Sequence, residues 1–211
     1  MARFPRGLYA LTPEETDTAA LVAHVRAALA GGAVAIQYRH KAASPALARE
    51  QAGALKAVCR TAGVPLIVND DIALALEVGA DGVHLGRDDG DLVVARARLG
   101  SERTLGASCY DELTRAVAAA RAGADYVAFG SVFPSPTKPY AVHAPLTLFT
   151  EAKQSLAIPL VAIGGITLDN APRVIAAGAD AVAVITALFE DGEVEARARA
   201  FQSLFKEDPQ Q

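Results

Sequence analysis

Short apolar runs recur along the chain with helical stretches between them, and most of the runs end on a polar cluster. The runs are Leu8 to Leu11, Val34 to Tyr38, Leu66 to Val68, Gly82 to Leu85, Leu105 to Ala107, Tyr126 to Phe129, Leu160 to Ile163 and Ala181 to Ile185. Each is brief and continuously apolar, the pattern of a strand buried on both faces. Between them Thr18 to Leu29, Pro45 to Ala62, Asp111 to Ala122 and Glu193 to Phe205 read as helices, with a shorter one at Ile72 to Val78. Eight strands alternating with helices predict an α/β fold with parallel strands, a single (β/α)8 TIM barrel.

A doubly wound open sheet shows the same alternation, so periodicity alone does not separate the two. The loops do. An open sheet that binds a dinucleotide carries its glycine-rich turn after the first strand. Here Leu11-Thr12-Pro13-Glu14 follows the first strand and Gly164-Gly165 follows the seventh, and phosphate sites after strands seven and eight are a barrel feature. The polar clusters Gln37 to Lys41, Asn69-Asp70, His84 with Asp89, Ser108, Ser135 to Lys138 and Gly164-Gly165 follow different runs. In a closed barrel they share one rim. A second pattern, Gly-Ala-Asp-x-Val, starts at Gly79, Gly123 and Gly178, with a looser copy at Gly31-Gly32-Ala33-Val34. It reads as a helix closed by glycine and a tight turn into a buried strand.

The 211 residues suffice for one such domain, 1–211, with Glu207 to Gln211 as a polar tail. Hydrophobic residues at 52% and charged residues at 21% argue against disorder elsewhere. A net charge of −4 without a basic stripe argues against nucleic acid as a partner. No apolar stretch approaches ~20 residues and Met1 to Gly7 lacks the apolar core of a signal peptide, so no membrane partner and a cytoplasmic location are expected. Cys59 and Cys109 form neither a CxxC pair nor a disulfide framework and read as ordinary thiols. Self-association into a homo-oligomer is compatible with this picture.

Alternation along an extended segment puts Gln37, Arg39 and Lys41 on one face, aimed at the barrel mouth. A planar guanidinium fork, a mobile ammonium and an amide together suit a multiply charged oxyanion. Asn69 and Asp70 end the third run, and Asp89 lies just beyond the fourth. Adjacent strands are about 4.8 Å apart, so Asp70 and Asp89 can reach one ion, and magnesium suits a site of one or two carboxylates completed by water and phosphate. The competing role is capping: Asp70 or Asp71 stands where a helix N-cap belongs. The cations on the second strand favour the metal. His84, a lone histidine at a strand end without a carboxylate at readable spacing, reads as packed and hydrogen-bonded. Ser108 has a donor for a heterocycle but no partner that sequence identifies. The loop Phe133-Pro134-Ser135-Pro136-Thr137-Lys138 is stiffened by proline and offers hydroxyls and a cation, while Gly164-Gly165 and Thr186 offer amides and a hydroxyl to a second phosphate.

Taken in order, Gln37-Tyr38-Arg39-His40-Lys41, Val68-Asn69-Asp70, Gly79 to Gly86 and Phe133 to Lys138 closely resemble the thiamine-phosphate synthase family, with the match running from Leu8 to Leu188. The resemblance implies a transferase that joins 4-amino-2-methyl-5-hydroxymethylpyrimidine diphosphate to a thiazole phosphate with Mg2+, giving thiamine phosphate and pyrophosphate. It implies that Gln37, Tyr38, Arg39, His40, Lys41, Asn69, Ser108 and Lys138 hold the pyrimidine diphosphate, with Arg39, Lys41 and Lys138 acting in catalysis. By the same likeness Asp70 and Asp89 bind the metal, and Ser135, Pro136, Thr137, Gly165, Ile185 and Thr186 take the thiazole phosphate. Tyr38, His40, Asp71 and Ser135 depart from the commonest family pattern without removing a proposed ligand. Two rival readings are an isomerase of a thiazole phosphate, which needs no diphosphate and metal set, and a non-catalytic phosphate-ligand binding barrel.

Overall fold

Eight parallel strands close into a barrel in sequence order, with β8 paired back to β1. The strands are β1 (Gly7–Leu11), β2 (Ala35–Tyr38), β3 (Leu66–Asn69), β4 (Gly82–Leu85), β5 (Thr104–Tyr110), β6 (Tyr126–Phe129), β7 (Leu160–Ile163) and β8 (Ala181–Val184). Around them lie α1 (Thr18–Ala30), α2 (Pro45–Ala62), α3 (Ile72–Glu77), α4 (Leu92–Leu99), α5 (Leu113–Arg121), α6 (Thr147–Ser155), α7 (Ala171–Ala176), α8 (Thr186–Phe189) and α9 (Val194–Ser203). The computed structural model describes residues 4–134, 143–190 and 192–206. Within that range it is the expected TIM barrel.

The continuous apolar runs follow from burial on both strand faces. Alternate residues Leu8 and Ala10 of β1 join Leu21 and Val25 of α1 in the layer between barrel and helices. Their neighbours Tyr9 and Leu11 point inward with Ile67, Tyr126 and Val161. Side chains therefore fill the interior, leaving the rims to carry polar chemistry. Local signals set the helix ends. Ser44 caps α2 through its side chain, Pro45 opens it, and Gly63 closes it at φ 67°.

The Gly-Ala-Asp-x-Val repeat builds the amino-end rim. In each copy the aspartate precedes an even-numbered strand and clamps both backbone groups of one leucine on the strand before it. Asp81 N–H donates to Leu66 O at 2.9 Å while Asp81 Oδ2 accepts from Leu66 N–H at 2.8 Å. Asp125 treats Leu105 in the same way, and Asp180 treats Leu160. Lys56, Arg96 and Lys153 respectively sit on the three carboxylates at 2.6 Å. In the looser copy Val34 N–H keeps the backbone bond to Leu8 O, but valine has no carboxylate. Gln202 from α9 supplies the missing acceptor, taking Leu8 N–H at 2.9 Å.

Three carboxyl strand ends differ from the sequence expectation, β3 running on to Asn69. β5 continues to Tyr110, whose pairing with Phe129 follows a register shift after Ser108. Ser108 and Cys109 thus lie inside a strand, although their polarity reads as the start of a loop. Ile185 leaves β8 and starts α8, so the eighth strand ends one residue early.

Candidate active site at the carboxyl rim

The loop after β1 clasps the cationic segment after β2. Thr12 Oγ1 accepts from Arg39 N–H at 2.9 Å, Glu14 Oε1 lies 3.5 Å from Arg39 Nη1, and Lys41 N–H points to the same carboxylate at 3.4 Å. Neither Thr12 nor Glu14 stands out in the sequence, because their role arises from a strand adjacency.

The expected single face of Gln37, Arg39 and Lys41 holds only in part. Gln37 is buried inside the barrel, donating through Nε2 to Tyr9 Oη at 2.7 Å. β2 then ends at Tyr38, so strand alternation no longer orients Arg39 and Lys41; Arg39 is half-buried beside Glu14 and Lys41 is exposed in a turn. Tyr38 requires a correction. Its ring packs into the helix layer and its hydroxyl donates to Gln51 Oε1 at 3.0 Å, so the side chain takes no place at the rim. Burial pushes its phenol up to about 12. Both ring nitrogens of His40 are buried without a hydrogen-bond partner among the described residues.

Asp70 and Asp71 divide the two roles that sequence leaves open between them. Asp71 caps α3, accepting from Leu74 N–H at 2.9 Å. Asp70 is thereby free of capping. It occupies the left-handed region at φ 64°, an uncommon conformation that costs about 1–3 kcal/mol for a non-glycine residue and is typical of functional sites. Its N–H is tied to His84 O at 2.8 Å, and Asn69 Nδ2 donates to its carboxylate at 2.6 Å. Burial, then the facing carboxyl of Asp89, raises Asp70 to about 6 against the opposing pull of Lys41 and Arg39. Those four side chains therefore share one electrostatic neighbourhood. Asp89 also accepts from Gly86 N–H at 2.6 Å, which folds the loop after β4 back toward the rim.

His84 is packed and hydrogen-bonded at both ring nitrogens, to Tyr126 Oη at 2.9 Å and Ser108 Oγ at 2.8 Å. Burial lowers its pKa to about 4, so the ring is neutral near pH 7. Cys109 is buried and its thiol is pushed up to about 12, as is that of Cys59, so neither is a thiolate nucleophile.

On the opposite side of the rim the loops after β6 and β7 interlock. Val132 N–H donates to Ile163 O and Phe133 N–H to Gly164 O. Gly165, at φ 64°, approaches so closely that a Cβ would lie 2.5 Å from Pro134 O. The Gly-Gly pair thus has a packing reason that is independent of any ligand. Ile185 and Thr186 open α8, where the first amides of a helix have no partner within it. Ser135, Pro136, Thr137 and Lys138 lie outside the described residues.

A family model described as thiamine monophosphate synthase matches residues 8–188. The chain belongs to the thiamine monophosphate synthase family. Relatives named thiamine-phosphate synthase include one from Methylobacillus flagellatus, 58% identical over 95% of both chains, and one from Thiobacillus denitrificans, 54% identical over the whole of both. A solved thiamine phosphate pyrophosphorylase from Pyrococcus furiosus superposes with a TM-score of 0.85 at 36% identity, over 95% of this chain and 96% of that one. This family of transferases accounts for the order of the rim clusters.

Proposed function

We propose that the rim carries out thiamine phosphate synthesis by breaking the bond between the pyrimidine's exocyclic methylene and its diphosphate, after which the thiazole nitrogen captures the methylene. The observation that supports this most directly is the meeting of Asp70 and Asp89 with Arg39 and Lys41. An aminopyrimidine stabilises positive charge on its methylene, so the step needs positioning and leaving-group stabilisation more than a strong base. The neutral, fully engaged His84 is consistent with that requirement.

Arg39 offers a fork to the leaving diphosphate, and Lys41 and Lys138 offer point charges. Asn69 and Ser108 orient the pyrimidine; Ser135, Pro136, Thr137, Gly165, Ile185 and Thr186 receive the thiazole phosphate. Asp70 and Asp89 fit Mg2+, because the Asp89 carboxylate facing Asp70 creates the negative field that a hard divalent cation relieves. When bound, the ion adds positive charge beside the leaving diphosphate. A cytoplasmic location accompanies this reading. Among the described residues no helix is long and apolar enough to cross a membrane, and both thiols are free.

The test is incubation with pyrimidine diphosphate, thiazole phosphate and magnesium. Pyrophosphate should appear in step with thiamine phosphate. Isomerisation of the thiazole phosphate alone, or ligand binding without turnover, would replace this reading.

A further inference from the structure

Five side chains from five strands form one hydrogen-bonded line through the barrel interior. Gln37 of β2 bonds Tyr9 of β1 at 2.7 Å, and Tyr9 bonds Tyr126 of β6 at 3.0 Å. Tyr126 bonds His84 Nδ1 of β4 at 2.9 Å, and His84 Nε2 bonds Ser108 of β5 at 2.8 Å. The first four are buried; Ser108 is half-buried, the member that reaches the mouth. The crossing is possible because β5 carries Gly106 beneath it, where a Cβ would lie 2.1 Å from Tyr126 Cζ.

Such a line has two proton arrangements in which every phenol proton is used along it. A phenol has one proton, so each tyrosine can donate to one neighbour only, and a neutral imidazole donates from one nitrogen and accepts at the other. With Gln37 Nε2 donating to Tyr9 Oη, the arrangement that leaves no buried phenol proton unpaired has Tyr9 donating to Tyr126, and Tyr126 to His84 Nδ1. The histidine proton then sits on Nε2 and goes to Ser108 Oγ, leaving the serine hydroxyl proton free. Burial keeps both phenols and the imidazole neutral, so no ionised member interrupts the sequence.

We propose that this line sets Ser108 as a hydrogen-bond donor toward an acceptor on the pyrimidine substrate, with Tyr9, Tyr126 and His84 as positioning residues that transmit the polarity from Gln37. The substrate half rests on the proposed function. The polarity half rests on the hydrogen-bonded line and on the burial of its members. The donor state of a side chain at the mouth is thus decided on the far wall of the barrel. A histidine with the other tautomer would take the serine proton for itself and leave Ser108 able only to accept.

The experiment is 15N NMR of His84 in the full-length protein, joined to steady-state kinetics. The parent protein should show a protonated Nε2 and an unprotonated Nδ1. Gln37→Met, which keeps the shape and removes the amide, should give a mixture of the two tautomers. A proton on Nδ1 in the parent, or no response to Gln37→Met, overturns the polarity. Tyr126→Phe should raise KM for the pyrimidine diphosphate about 10-fold, the scale of one well-placed hydrogen bond, with KM for the thiazole phosphate unchanged. Equal changes in both constants overturn the positioning role. An unchanged pyrimidine KM in Ser108→Ala, in an enzyme that makes thiamine phosphate, overturns donation by Ser108. A parent that makes no thiamine phosphate while showing the expected tautomer removes the functional reading and the substrate half with it.

Discussion

The two ends of this barrel use charged groups in opposite ways. At the amino end Asp81, Asp125 and Asp180 each hold a backbone leucine and a basic side chain, so every carboxylate is occupied by the fold. At the carboxyl end Asp70 and Asp89 face each other, and Asp70 sits in a strained backbone conformation with a raised proton affinity. The first arrangement repeats every two strands because each pair of strands poses the same closure problem. The second does not repeat, since each loop contributes a different group to one shared centre. Where a carboxylate has its partners within the fold it stabilises; where it meets another carboxylate it is poised for something from outside.

Paired substitutions at the two rims separate these two uses of charge most sharply. Lys138→Ala should lower kcat about 100- to 1000-fold, the usual cost of one charge-stabilising donor, with no change in the unfolding midpoint. Near-normal turnover would remove Lys138 from the mechanism. Asp125→Ala should do the reverse. It leaves Leu105 N–H without its acceptor and Arg96 with backbone carbonyls but no carboxylate, and should cost about 2–4 kcal/mol in denaturant unfolding while kcat of the folded protein is kept.

Next in size is the pH response of Asp70. Its folded pKa of about 6 lies above the ordinary value of 3.8, so without magnesium the fold is favoured below the unfolded pKa and loses that contribution as pH rises through 6. Asp70→Asn should abolish this component, and comparing the two proteins isolates it from the opposite slope of His84, whose folded pKa is depressed to about 4. Magnesium should bind the parent more weakly as pH falls through 6, and Asp70→Asn should raise the magnesium requirement. An unchanged metal titration would count against the assignment. The smallest effect is expected at Gln202. Gln202→Ala removes one neutral acceptor from Leu8 N–H and should cost about 1 kcal/mol, less than Asp125→Ala because no charge is involved.

Much of this was legible in the chain. Burial on both faces makes each strand a continuous apolar run, so all eight strands follow from local pattern, and the placing of the glycine-rich turn after the seventh points to the barrel. The rim clusters were legible for a related reason: the carboxyl ends of consecutive strands must lie side by side once the barrel closes.

What remained hidden depends on partners distant in sequence. Alternation placed Gln37 inside but could not say that Tyr9 would receive its amide, or that Tyr126 would cross to a histidine 42 residues away. The family resemblance placed Tyr38 near the ligand, whereas packing against α2 turned the ring outward to Gln51, on the face that alternation leaves away from Gln37. The choice between Asp70 and Asp71 for the cap was likewise settled by backbone geometry, which gave Leu74 N–H to Asp71. By itself the sequence determined the elements, their order and the family, because these are written in local periodicity and motif. Which polar groups meet, and which are left free to meet a ligand, only the closed barrel decided, because hydrogen bonds and charge pairs act over a few ångströms and the tertiary fold alone brings those distances about.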